Sequence, residues 1–335
     1  MNFFKKNLKA LLFTGIILLL IQFVVCSVGA QQDKGTIIIG SSSPGSTAYI
    51  HFEACSYLIN EHSDKYRVSS MSTSGSSENI ILLDEGKIDL GSASSTDYYA
   101  AWSGERWEKE IPIWQVCTYT YWPQALVALA ESEEIQTIND LVGKQVSIGA
   151  VGSGAEYLWR LVLEEYGIYD DLKLNNLGWT ESFEALADGL VVATPGNFPG
   201  GKLHPEMVRL DTRKPFKVLD IDPDILNSVR EYNPGILSTI LPKDAYEGIE
   251  EDITCAGFTG LVISTAHTDD DKIYEFCKMI YENIEELHEM STVSDYSALE
   301  TAIEGFLPDY PIHPGAARYF QEKGIWNDNL IIGER

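Results

Sequence analysis

The chain has 335 residues, 44% of them apolar, and 50 acidic side chains against 24 lysines and arginines, a formal charge of −26. That balance excludes a nucleic-acid or anionic-membrane partner held by charge, and it obliges any anionic ligand to be held by local donors. The length suits two domains, each with a core of its own.

Lys5, Lys6 and Lys9 precede an uncharged apolar run over 10–25, followed by Cys26-Ser27-Val28-Gly29-Ala30. This order predicts a secretory signal peptide over 1–30, cut after Ala30. Acylation of Cys26 competes with it, but Val25 stands where a lipoprotein signal has a small residue; an uncleaved anchor is the third reading. Each puts the body in the periplasm or otherwise outside the cytoplasm. Cys55, Cys117, Cys255 and Cys277 lack tight spacing and sit in apolar settings, so buried free thiols are expected rather than staples.

Thr36-Ile37-Ile38-Ile39 predicts a buried strand that feeds the loop 40–47, rich in serine and glycine, and a helix over 48–62. A loop of this kind leaves unpaired N–H groups at a helix start, a place for an anion. It has neither the lysine of a P-loop nor the spacing of a dinucleotide site, so a small carboxylate suits it better than a nucleotide. Taken alone it is equally an ordinary connection with a serine N-cap. The arrangement recurs, however. A strand over 66–71 runs into Ser72-Thr73-Ser74-Gly75-Ser76-Ser77-Glu78-Asn79 and a helix ending at Glu85-Gly86, and a strand over 87–91 ends in Ser92, Ser94, Ser95 and Thr96 before a helix at Asp97.

Residues 111–130 form an aromatic, β-prone block long enough for two strands or a crossing segment. A helical turn over 138–144 leads to a strand at 145–149, the loop Gly152-Ser153-Gly154 and a helix to Gly167. A fifth unit comprises a strand over 172–177 and a helix from Trp179 to Gly189, and residues 190–193 predict another strand, ending in the loop 194–199. Strands are expected over 217–221, 235–241 and 253–264. Thr268-Asp269-Asp270-Asp271 reads as the acidic start of a long helix to Glu289 rather than as a calcium loop. A short terminal helix is bounded by Pro314 and Gly324. In a parallel α/β sheet such loops share one edge, where these folds bind ligands. Two sheets, with a chain that leaves the first and returns to it, predict two lobes facing across a cleft: 31–128 plus 253–335, and 129–252.

The loop 39–49, Ser74-Gly75-Ser76-Ser77-Glu78-Asn79, the run from Asp140 to Gly154, Leu241-Pro242-Lys243-Asp244-Ala245-Tyr246, and above all His313-Pro314-Gly315-Ala316-Ala317-Arg318-Tyr319-Phe320 together resemble the TAXI family of solute receptors. These receptors serve tripartite ATP-independent periplasmic (TRAP) transporters. The resemblance implies a type II periplasmic-binding-protein fold, two α/β lobes joined by a hinge, and delivery of a small organic acid or amino acid, glutamate being the usual example, to an ion-driven membrane permease. It carries over as ligand contacts Ser43, Ser46, Thr47 and Tyr49; Ser74, Gly75, Ser76 and Asn79; and Gly152, Ser153 and Gly154. Ser94 and Thr96 join them from the third loop, Asn197 from the unusual loop after 193, and Trp179 as a wall; Trp122 and Trp159 are weighed as walls against an ordinary core role. The family's acidic residue after Gly189 is replaced by Val192-Ala193, and the first loop carries extra hydroxyls. His313 and Arg318 are assigned to packing of the last helix.

No catalytic residue, metal or cofactor is expected, and a monomer is. The alternatives are a ligand-sensing module for a membrane signalling protein and an exported serine hydrolase. G-x-S-x-G, H-E-x-x-H and C-x-x-C are all absent, and the six histidines show no metal-ligand spacing.

Overall fold

Every second side chain of β1 (Gly35–Gly40) from Ile37 to Ile39 is fully buried, and the strand ends where its loop turns into α1 (Thr47–His62). The buried positions of α1 come in pairs, Thr47 and Ala48, His51 and Phe52, Cys55 and Ser56, Leu58 and Ile59, as the helical repeat requires. Burying Phe52, Leu58 and Ile59 contributes about 1.5–3 kcal/mol each. The computed structural model describes residues 34–199, 202–243, 245, 249 and 251–335; the predicted signal peptide, with Cys26, lies outside the described residues.

The same strand-then-helix step follows in β2 (Tyr66–Met71) with α2 (Ser76–Asp84), and in β3 (Leu90–Ser94) with α3 (Ser95–Ser103). Next comes β4 (Ile113–Leu129), then β5 (Gln145–Ser147), α4 (Gly154–Glu165), β6 (Lys173–Asn175), α5 (Trp179–Ala187), β7 (Thr194–Asn197), α6 (Pro205–Arg213), β8 (Phe216–Leu219), α7 (Pro223–Tyr232) and β9 (Leu237–Leu241). The chain returns in β10 (Ile253–Thr265) and closes with α8 (Asp270–Glu282), α9 (Ile284–Met290), β11 (Pro311–Ile312), α10 (Pro314–Lys323) and β12 (Ile331–Ile332).

The main sheet runs β12-β11-β4-β10-β3-β1-β2, with β1 parallel to β3 and β10 inserted antiparallel between β3 and β4. Strands β4 and β10 stay paired from Ile113↔Thr265 to Gln124↔Ala256. From Gln124 onward β4 pairs with β7 and then β8, and over Ile253–Gly257 β10 pairs with β9. One core cluster gathers Ile37, Ile39, Phe52, Leu261 and Phe276, and a second gathers Val127, Phe183, Leu186, Met207 and Leu210. Residues 36–335 form one compact unit.

Residues 111–130 hold one 17-residue strand, the crossing segment of the two alternatives expected, with a partner along its whole length. Three expected elements differ. The strand expected over 87–91 runs instead over Leu90–Ser94, since Leu82 O at the end of α2 takes the amide of Lys87. The strand expected over 190–193 begins later, and the expected loop 194–199 is largely β7. The amides of Leu190 and Val191 are used by Ala185 O at the end of α5, so only Val192 and Ala193 reach β5 before Thr194–Asn197 pairs with β4. Pro195 is tolerated there because β7 pairs with β4 alone. The helix expected to reach Glu289 breaks at Asn283, whose side-chain amide donates to Met279 O at 2.8 Å. Cys55, Cys117, Cys255 and Cys277 are buried free thiols. His313 caps α10 by accepting from Gly315 N at 3.2 Å, and Arg318 pairs with Asp271 at 2.8 Å, both packing roles. Among the described residues no helix is long and apolar enough to cross a membrane.

Candidate functional site

Four helices begin at one cavity, which encloses about 590 Å³ including its open mouth. Ser46, Thr47 and Ala48 start α1 there; Gly75 and Ser76 start α2; Ser153, Gly154 and Ala155 start α4; Trp179 starts α5. Ser46 Oγ accepts from Tyr49 N at 3.2 Å and Ser153 Oγ from Glu156 N at 3.1 Å, so each serine satisfies one end donor. The first two amides of a helix have no partner within it. Those of Thr47, Ala48, Ser76, Gly154, Ala155 and Trp179 are taken up by no other group among the described residues.

The convergence is enforced by close packing between loops. Gly75 has φ +122°, and a Cβ there would meet Ser153 Cα at 3.3 Å; a Cβ on Gly154 would meet Ser94 Cβ at 2.9 Å. Ser77 N donates to Gly152 O at 3.0 Å. Asn79 ties the three loops of the first sheet together: its amide donates to Ser41 O and Ser92 O, both at 2.8 Å, and its oxygen accepts from Thr73 at 2.9 Å.

Of the residues expected at the site, Ser43, Ser46, Thr47, Gly75, Ser76, Ser153, Gly154, Trp179 and Asn197 line this cavity. Tyr49, Ser74, Asn79, Ser94, Thr96 and Gly152 lie outside its wall. The hydroxyls of Ser94 and Thr96 meet each other at 2.6 Å and Ser94 donates to Asp97 at 2.6 Å, which turns them to capping α3. Trp122 is a wall; Trp159 is core, and it fixes the wall residue Gln124 through Nε1 to Oε1 at 3.2 Å. Sequence reasoning missed Ser42, Ala48, Ser92, Gln124, Gly149, Ala150, Ala155 and Phe258. Gln124 gave a signal, an amide in an apolar strand; Phe258 gave none.

Among the described residues no charged side chain lines the cavity. Acidic residues sit in the first turns of α2 (Glu78), α4 (Glu156) and α5 (Glu181), but not of α1. Glu78 accepts from Ser74 N at 2.7 Å, and Arg106 pairs with both Asp97 and, at 2.9 Å, Glu156 while stacking over Tyr157. Behind Trp179, His204 Nδ1 accepts from the indole N–H and from Glu206 N, both at 3.1 Å, which places its proton on Nε2. Burial lowers its pKa to about 3, so this histidine is neutral. Two wall residues hold buried polar atoms that find no partner among the described residues, Trp122 Nε1 and Asn197 Oδ1, while Asn197 Nδ2 donates to Thr47 Oγ1 at 3.3 Å. Among the described residues no three His, Cys, Asp or Glu side chains cluster as a metal site would need.

Residues 39–324 match a family model described as the NMT1-like family. Among solved structures, a protein of Bordetella bronchiseptica RB50 is similar at 12% identity and a TM-score of 0.54, over 89% of this chain and 91% of that one. The ligand-binding component of an ABC-type import system from Staphylococcus aureus is similar at 11% identity and 0.48, over 89% and 96%. The periplasmic aliphatic sulphonate binding protein of Escherichia coli is similar at 14% identity and 0.45, over 86% and 79%. The mixed α/β fold expected from the sequence is the fold observed, and the Bordetella protein shares it.

Proposed function

The chain belongs to the NMT1-like family, and from that premise we propose that it is an extracytoplasmic receptor that captures a small organic anion or amino acid and hands it to a membrane permease. The observation that carries this reading is the cavity itself, where amides from four helix starts meet beside two buried polar atoms that lack partners. Helix N-termini favour negative charge, and unpaired buried polar groups are costly unless a ligand completes them. The finer reading, a receptor of TAXI type with a TRAP-type permease, is supported by the motifs around Gly75, Ser153 and His313, and an export signal over 1–30 by the lysines that precede the apolar run over 10–25. In it the ligand leaves chemically unchanged and the receptor works as a monomer.

We place the two lobes at 31–128 plus 253–335 and at 129–252. These bounds fall at the end of β4 and the start of β10, a few residues beyond the rungs where Phe258 faces Trp122 and Ala256 faces Gln124 across the ladder. Three of those four residues line the cavity. Two crossing strands beside a ligand site form a hinge about which lobes close.

Titration with a panel of amino acids and small carboxylates tests the reading. One-to-one saturable binding is expected, with a stabilisation of about 2.7 kcal/mol at a ligand concentration of 100 Kd. Ser153→Trp should abolish binding with an unchanged circular dichroism spectrum, at a cost of about 1 kcal/mol for the lost cap. A panel without any thermal shift or heat of binding would end the receptor reading; full affinity in the variant would remove this loop from the site.

A further inference from the structure

We infer that the ligand carries one acidic group, at least one N–H donor and an uncharged body, and that the cavity discriminates against dicarboxylates such as glutamate. The inference rests on the receptor reading and deepens it. A second carboxylate would enter a wall that, among the described residues, holds no cation. Arg106 is committed to Asp97 and Glu156, and His204 behind Trp179 is neutral. The starts of α2, α4 and α5 each carry an acid of their own, which offsets their positive ends. Only α1 has no acid in its own first turn, and Glu206, which lies near Gly45 in the loop before it, is paired with Arg209 at 2.8 Å, so the amides of Thr47 and Ala48 are the place for a single acid.

Asn197 and Trp122 supply the complement. They are 5% and 7% exposed, and each has a buried atom with no partner, an acceptor on Asn197 and a donor on Trp122. With its amide nitrogen engaged by Thr47, Asn197 Oδ1 is left to accept from a ligand N–H. Trp122, Trp179 and Phe258 give the rest of the wall an aromatic surface suited to an uncharged side chain.

Calorimetry with matched pairs tests this on the unmodified protein, within the twenty amino acids and a set of small mono- and dicarboxylates. Glutamine and glutamate share a shape and differ in one charge; glutamine should bind at least tenfold more tightly. Leucine should exceed 4-methylpentanoate, which lacks the amine, by a similar factor, and Asn197→Leu should narrow that gap. Glutamate binding as tightly as glutamine, or 4-methylpentanoate as tightly as leucine, would overturn the inference and leave the receptor standing. Silence from every compound would remove the receptor reading and this inference with it.

Discussion

His204, His51 and His313 are all buried, and burial lowers their pKa values to about 3, 3 and 4 from an ordinary 6.5. Each uses its ring in a neutral form: His204 accepts twice through Nδ1, His51 meets Ser294 and Cys55, and His313 caps α10. Between the unfolded value and the lowered folded one, the unfolded chain binds more protons, so stability falls as pH drops below about 6.5, by up to about 1.4 kcal/mol per pH unit for each ring. Chemical denaturation at several pH values should therefore show a shallower acid slope for His204→Gln, whose amide oxygen can still accept from Trp179. An unchanged slope would mean that His204 is protonated in the fold. At this scale the sequence was partly legible. The serines beside Gly75 and Ser153 announce a helix start, but the direction of a hydroxyl does not show in a residue's name. Ser94 and Thr96 turn to each other and Asp97, whereas Ser46 and Ser153 stay at the cavity.

Helix α1 differs from its neighbours by what its first turn lacks. Adding an acid there, as Ala48→Asp, sets a helix-dipole gain of about 0.3–1 kcal/mol against the cost of placing a carboxylate at a buried position. The same carboxylate would occupy the place proposed for the ligand's acid, and binding should fall at least tenfold while the circular dichroism spectrum holds. Titration of this variant separates the two effects; undiminished binding would show that the acid rests on another helix. Strand-to-helix steps were readable because apolar alternation, glycine and serine punctuate each one. The start of β7 was not, since it depends on Ala185 O taking the amides of Leu190 and Val191, and the break at Asn283 depends on a side chain that competes with the helix ladder.

Across the whole molecule, the insertion of β10 between β3 and β4 brings loops far apart in sequence to one cavity. The long apolar runs over 111–130 and 253–264 marked both strands, yet local pattern does not tell a strand its partner. Phe258 reaches the site solely through that pairing, and Gly154 meets Ser94 solely through the fold. The Arg106 pairs with Asp97 and Glu156 hold α3 against α4 near the same place. Helix-end amides are proposed to hold the ligand's acid without help from a metal or a cation. A crystal structure of the protein with its bound ligand tests it most directly. An acid group within about 3 Å of the Thr47 and Ala48 amides, with no charged side chain in contact, is the predicted result; a ligand held by a lysine or arginine, or seated on another face, would contradict it.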